Sequence, residues 1–441
     1  MKFKKICIFG LGYIGLPTAS TFAAKGVKVL GVDVNERVVD ILRGGEIHIH
    51  EPGLRDIYQK ALKSGNFTIS TQPEQADAFL IAVPTPFHED QSGEYEGRKY
   101  KLADMRAVTA AAEAIVPLLR KGNLVVLEST SPPRTTVELV APILERSGLQ
   151  AGRDFHLAYS PERVLPGKIL QELVENARVI GGITPESAQA GADLYGVFVK
   201  GEIVQTDATT AEMVKLMENT YRDINIAIAN EFARLADNFG VDVWEAISLA
   251  NRHPRVKILA PGPGVGGHCI SVDPWFFVEA APGLTPLIHS ARSVNDTQPK
   301  FVLEIIKRAL CGRDALQDNI KGKKVAALGL AYKPNVDDLR ESPAIEVVHL
   351  LQDEGLQVKA WEPFKPEAQL PGIDMATGLE GALKDADLIV LLVAHSQFLT
   401  LKPADLTASS RARILVDAVN GWDAAACREA GFQVTRLGVG R

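Results

Sequence analysis

The chain has 441 residues, of which 46% are hydrophobic and 23% charged, with a formal net charge of −6. This length exceeds what one compact core holds, so two or three domains are expected. The acidic balance argues against a nucleic-acid binder, whose footprint is a basic stripe, but local cations could still hold a phosphate-bearing ligand.

Four scattered cysteines (Cys7, Cys269, Cys311, Cys427) contain no CxxC pair. They suit a reducing, cytoplasmic setting and offer no disulfide framework. Nine histidines form no cluster at ligand spacing, so no protein-bound metal is expected. The opening Lys2-Phe3-Lys4-Lys5 and ICIFGLGYIGL outline a signal peptide, but glycines break the apolar part and no cleavage site follows. The run from Ala386 to Ala394 falls short of the ~20 residues that span a bilayer, so no membrane partner is expected.

In chain order, Ile6 to Phe9, Val27 to Val32, Ala78 to Val83 and Leu124 to Leu127 read as strands buried on both faces. Amphipathic helices such as Pro17 to Lys25 and Met105 to Leu119 alternate with them. The polar stretch from His88 to Lys101 reads as a surface loop, a candidate lid. From Thr209 to about Asn238 runs one long helical pattern, opened by a Thr209-x-x-Glu212 capping box. Further helical segments reach about Leu310. The last third returns to strands at Lys324 to Leu328, Gln357 to Trp361, Leu388 to Val393 and Ile414 to Val416. Such α/β alternation at both ends predicts two doubly wound domains joined by a long central helix and a helical connector. Boundaries are placed near 205 and 315, giving segments 1–205, 206–314 and 315–441.

Gly10-x-Gly12-x-x-Gly15 lies between the first strand and its helix. Gly10 permits the tight turn, Gly12 lets the backbone approach a pyrophosphate, and Gly15 allows close helix–strand packing. Asp33 ends the second strand at the offset from which an acid bonds the adenosine ribose, which favours NAD over NADP. The alternative is that Asp33 caps the following helix. Gly329-Leu330-Ala331 lacks the glycine pattern, so one dinucleotide site is expected.

Cys269 follows the loop Pro261-Gly262-Pro263-Gly264-Val265-Gly266-Gly267-His268 and precedes Asp273. Glycines before a thiol leave room for a substrate carbon and expose backbone N–H groups. A small buried residue in a turn is the competing view. The other three cysteines sit in strand or helix patterns as packing residues. On the long helix Lys215, Asn219, Arg222 and Ile226 share one face, and Met213, Leu216, Met217, Thr220 and Ile224 another. The polar face is either solvated or a set of donors for an anionic substrate. Glu162, in Ser160-Pro-Glu-Arg163, follows the strand Phe155 to Tyr159, where doubly wound sheets bind ligands; helix capping is the alternative.

Across essentially its whole length the chain resembles the UDP-glucose/GDP-mannose dehydrogenase family. The resemblance is carried by GLGYIGLP at residue 10, VPTP at 83, ESTSPP at 128, SPERVLPG at 160, KLMEN at 215, PGPGVGGHCISVDPWF at 261 and AYKPNVDDLRES at 331. Asn251-Arg-His-Pro-Arg-Val256 and Asp273-Pro-Trp275 look most like the UDP-N-acetyl-D-mannosamine branch. The resemblance implies an N-terminal Rossmann-like domain for NAD and a C-terminal one for the UDP moiety, with the long helix forming a dimer or a higher assembly. It implies that Tyr13, Ile14, Asp33, Thr85 and Thr130 contact NAD, with Arg340 reaching it from the other domain. Arg163, Val164, Lys215, Asn219, Arg222, Tyr332 and Lys333 would hold the nucleotide sugar, and His253 and Arg255 would come from a partner subunit. Where many relatives carry a second glutamate four residues after the motif acid, this chain has Pro166.

The implied reaction is a four-electron, NAD-dependent oxidation of a UDP-N-acetylhexosamine at C6, supplying a surface polysaccharide precursor. It passes through a thioester on Cys269, with Lys215, Asn219, Asp273 and Glu162 assisting. UDP-N-acetylmannosamine leads as substrate, followed by its glucosamine and galactosamine counterparts. The competing classes are a two-electron hydroxyacid or sugar-phosphate dehydrogenase and a silent NAD or nucleotide-sugar sensor.

Overall fold

The computed structural model describes residues 3–267, 269–311 and 320–440, so the boundary placed near 315 and His268 lie outside the described residues. The chain divides into two compact units, Met1–Glu218 with Trp275–Thr285, and Asn219–Pro274 with Pro286–Arg441. The helix Ala208–Phe239 runs through the division.

The first unit carries β1 (Lys5–Phe9), β2 (Lys28–Val32), β3 (Phe67–Ser70), β4 (Ala78–Ile81), β5 (Phe87–Tyr95), β6 (Arg98–Ala103), β7 (Leu124–Leu127), β8 (His156–Tyr159), β9 (Arg178–Gly182) and β10 (Ile203–Asp207). Eight of them form one sheet in the order β10-β9-β8-β7-β4-β1-β2-β3. All its neighbours are parallel except β8 and β9, which run antiparallel. Strand period decides the packing: Ile6, Ile8, Leu124 and Val126 enter one apolar cluster, while Cys7, Phe9, Val125 and Leu127 enter another on the opposite face. Both faces are covered, as a largely parallel sheet requires.

The second unit carries β11 (Lys324–Leu328), β12 (Gln357–Trp361), β13 (Asp374–Met375), β14 (Leu388–Leu391), β15 (Ile414–Asp417) and β16 (Gln433–Arg436). They form an all-parallel sheet in the order β13-β12-β11-β14-β15-β16. Val325 and Ala327 face one core, Ala326 and Leu328 the other. Both units are therefore doubly wound, and the strand order reverses beside β1 in one and β11 in the other.

Two sequence expectations need correction. Residues 88–101 form the β5–β6 hairpin instead of a loop. Glu96 and Gly97, both at positive φ, make its turn, and Glu-Gly is a weaker hairpin signal than Asn-Gly or Asp-Gly. The hairpin is docked within its unit: Ala103 N–H donates to Glu279 at 2.9 Å, and Phe87 meets Phe276 edge-on. The capping box does not form. Glu212 instead accepts from the Arg134 and Thr136 amides and the Thr136 hydroxyl, and Asp207 receives the Thr210 N–H. On the long helix the polar set, which the sequence left open between solvent and substrate, divides: Arg222 is exposed. Lys215 and Asn219 are 8% and 1% exposed, whereas Met217 and Tyr221 are 56% and 69% exposed.

Candidate active site

The dinucleotide turn follows β1. Gly10 has φ +87° and donates its N–H to the Val32 carbonyl at 2.8 Å, and a Cβ there would run into the Ala82 backbone. A Cβ on Gly15 would overlap the Gly10 carbonyl, whereas Gly12 faces open space. The helix Gly15–Ala24 starts after Tyr13 and Ile14 with no side-chain cap and no acid in its first turn. Leu16 N–H bonds the Gly12 carbonyl at 3.1 Å and Pro17 has no N–H, so the positive end of the helix dipole, with no acid beside it, is what fits the turn to a pyrophosphate. Asp33 braces the turn, accepting from Leu11 N–H and Asn35 N–H, each at 2.9 Å. Asn35, not Asp33, caps the next helix. Thr85, after β4, donates its hydroxyl to the Thr130 carbonyl at 2.7 Å, joining two more residues of the same crevice.

The second sheet repeats this device with a different outcome. Gly329, φ +88°, donates to the Trp361 carbonyl at 2.9 Å, and a Cβ there would press on Val393. At the end of β12, buried Glu362 accepts from both Leu330 and Ala331 amides, so its carboxylate occupies the turn itself. Buried His395 accepts the Asn335 N–H on Nδ1, which leaves Nε2 to donate to Glu362 at 3.1 Å. These bonds pin the segment carrying Tyr332 and Lys333. Sequence reading missed Glu362 and His395; an acid ending the second strand of each sheet was the available signal.

Around Cys269 the second unit brings several expected residues together. The Cys269 carbonyl accepts from Val272 and Asp273 amides at 3.0 and 2.8 Å. Asn219 donates its side-chain amide to Asp273, and Arg222 donates to the Asn219 carbonyl oxygen. Gly267 N–H bonds the Arg340 carbonyl at 3.2 Å, and the Arg340 guanidinium pairs with Asp338. A Cβ on Gly266 or Gly267 would press on Tyr332, and one on Gly266 on Pro343 as well. Asn230, buried on the long helix, accepts the Gly262 N–H at 2.9 Å, which holds the start of the loop. Cys269 itself is half-buried, whereas Cys7 and Cys427 are buried, and burial pushes the Cys7 thiol up to about 12. His253 and Arg255 stand exposed after the helix Val243–Ala250.

In the first unit Glu162 accepts the Arg163 amide at 2.8 Å and pairs with Arg178. Arg163 bonds Glu218, and Val164 packs against the apolar cluster. Lys215 is buried, and among the described residues its ammonium has no hydrogen-bond or ion-pair partner.

The comparisons with known proteins agree with this geometry. Residues 4–199 match the NAD binding domain of the UDP-glucose/GDP-mannose dehydrogenase family, 209–297 its central domain and 326–424 its UDP binding domain. The chain belongs to the UDP-glucose/GDP-mannose dehydrogenase family. It is an NAD-dependent oxidoreductase, with NAD held by the N-terminal domain. It is 48% identical to an NDP-N-acetyl-D-galactosaminuronic acid dehydrogenase of Ralstonia solanacearum, over 96% of this chain and 97% of the relative. It is 46% identical to a UDP-N-acetyl-D-mannosamine dehydrogenase of Methanococcus maripaludis, over 99% and 97%. A solved UDP-D-ManNAc dehydrogenase of Pyrococcus horikoshii superposes with a TM-score of 0.88 at 39% identity, covering 99% of both chains. Among the described residues no group of His, Cys, Asp and Glu could hold a metal, and no helix is long and apolar enough to cross a membrane.

Proposed function

We propose that this dehydrogenase oxidises the C6 alcohol of a UDP-linked N-acetylhexosamine, UDP-N-acetyl-D-mannosamine foremost, to the uronate for surface polysaccharide synthesis. The observation that carries this reading is the glycine-framed, half-buried Cys269, with Asp273 and Asn219 bonded to each other beside it. An ordinary two-electron dehydrogenase has no use for such a thiol. The names of the relatives support the substrate class.

Bound NAD supplies the hydride acceptor for both oxidations. As the C6 hydroxyl loses its proton, Lys215 stabilises the alkoxide. Asn219 acts as an oxyanion donor: its amide nitrogen has two hydrogens and Asp273 takes one. The Cys269 sulfur adds to the resulting aldehyde carbon and its proton passes to the oxygen, giving a thiohemiacetal that can lose a second hydride. Loss of that hydride and a proton leaves a thioester. Water positioned by Glu162 or Asp273 cleaves it to the carboxylate and restores the thiol.

Tyr13, Ile14, Asp33, Thr85, Thr130 and Arg340 contact NAD in this reading. Arg163, Val164, Arg222, Tyr332 and Lys333 hold the nucleotide sugar, and His253 and Arg255 come from a second copy. Segments 1–205, 206–314 and 315–441 then serve NAD binding, the thiol and dimerisation, and UDP binding. The four cysteines fit a cytoplasmic site of action.

The test is NADH production by purified protein with UDP-N-acetyl-mannosamine, -glucosamine and -galactosamine. Two NADH per sugar and the highest kcat/KM with the mannosamine are expected. One NADH per sugar would leave an ordinary alcohol dehydrogenase, and none with any sugar a binding protein.

A further inference from the structure

Arg178 opens β9, and its place follows from the one antiparallel pairing of the large sheet. Tyr159 lies opposite Gly181, so three residues on from Tyr159 and three back from Gly181 the same antiparallel register brings Glu162 opposite Arg178. β7 lies parallel to β8, so Glu128, which directly follows β7, emerges at the same end of the sheet. Arg178 is 4% exposed. Its Nε donates to Ser160 Oγ at 2.9 Å, Nη1 to Glu162 at 2.9 Å and Nη2 to Glu128 at 2.8 Å. The Tyr195 ring lies 3.8 Å from the guanidinium carbon, and the Tyr195 hydroxyl donates to the same Glu128 oxygen. The second Glu128 oxygen is buried and has no hydrogen-bond partner among the described residues.

One cation thus faces two carboxylates in a dry place, which is one negative charge too many. Burial pushes Glu128 up to about 7, against the pull of Arg178, so burial favours its neutral form. Glu162 then has the guanidinium's charge to itself. A planar fork of fixed donors also fixes the plane of the carboxylate it grips, which an ammonium cannot do.

We propose that Arg178 is a positioning residue for Glu162, holding that carboxylate in a fixed orientation at the end of β8, with Glu128 and Tyr195 anchoring the guanidinium from the other side. This rests on the reading of Glu162 as a residue that positions the hydrolytic water.

The experiment compares full-length wild type, Arg178→Lys, Glu162→Gln and the double variant. The readouts are kcat, KM for NAD, and intact mass after quenching during turnover. Arg178→Lys should lower kcat about 10²-fold, leave KM for NAD unchanged and accumulate a sugar adduct on Cys269, because hydrolysis is the slowed step. Glu162→Gln should do the same, and the double variant should be no slower than Glu162→Gln alone, since one residue acts through the other. A further kcat loss in the Gln background, a rise in KM for NAD alone, or no adduct would overturn the proposal. Wild-type turnover by Glu162→Gln would instead strike the underlying reading of Glu162. Should Arg178→Lys not fold, Arg178→Lys with Glu128→Gln restores the charge balance and serves for the same comparison.

Discussion

Asn219 and Asp273 share a hydrogen bond across 54 residues of sequence, tying the long helix to the turn that carries Cys269. Both side chains are buried, so neither exchanges its partner for water without cost. Asn219→Ala removes one donor to the Asp273 carboxylate. A fall in kcat of about 10²–10³-fold is expected from steady-state NADH production. Undiminished turnover would remove Asn219 from the chemistry.

Cys269→Ser keeps the size of the side chain but loses the sulfur nucleophile. Uronate formation should stop while calorimetric binding of NAD and of UDP-sugar persists. Continued release of two NADH per sugar would dispose of the covalent step.

Asp33 braces the dinucleotide turn through two backbone bonds. Asp33→Ala loses charge-assisted bonds of about 1.5–3 kcal/mol each, so KM for NAD should rise at least about tenfold, with kcat at saturating NAD kept. A fall in kcat with KM unchanged would contradict a binding role.

Glu128 supplies a stability prediction. Its pKa is raised from 4.5 to about 7 by burial, so between those values the folded chain holds a proton that the unfolded chain has released. Its contribution is complete at the lower pH and is lost as pH rises through about 7. Glu128→Gln should flatten this decline, measured as the urea midpoint on either side of the window. An unchanged slope would assign the titration to another group.

The exposed side chains Tyr221, Ile228, Phe232, Leu235 and Phe239 recur at helical spacing on the long helix. Such a stripe suits a self-complementary interface between two copies. Phe232→Asp should convert a dimer to monomer in analytical ultracentrifugation; a monomeric wild type would refute the pairing.

Much of this architecture was legible because buried parallel strands announce themselves as apolar runs, and Lys324–Leu328 and Gln357–Trp361 match their predicted ranges. The largely exposed β5–β6 hairpin, mostly polar between Phe87 and Leu102, gave no such signal. Glycine spacing revealed the turn at Gly10 because its packing demands leave no alternative residues. Arg178, Glu128 and Glu362 stayed hidden, since a buried charge is recognisable only by its partners, which lie up to 67 residues away. The burial of Lys215 and Asn219 was ambiguous for the same reason: periodicity defines faces but does not say which one meets solvent.

The contact of Gly266 and Gly267 with Tyr332 has an evolutionary consequence. The stretch bearing the thiol and the stretch bearing Tyr332 cannot drift independently. A bulkier residue in one demands a smaller ring or a shifted backbone in the other, so changes here should be inherited as matched pairs. Grafting either stretch alone into a distant relative should cost more than moving both together.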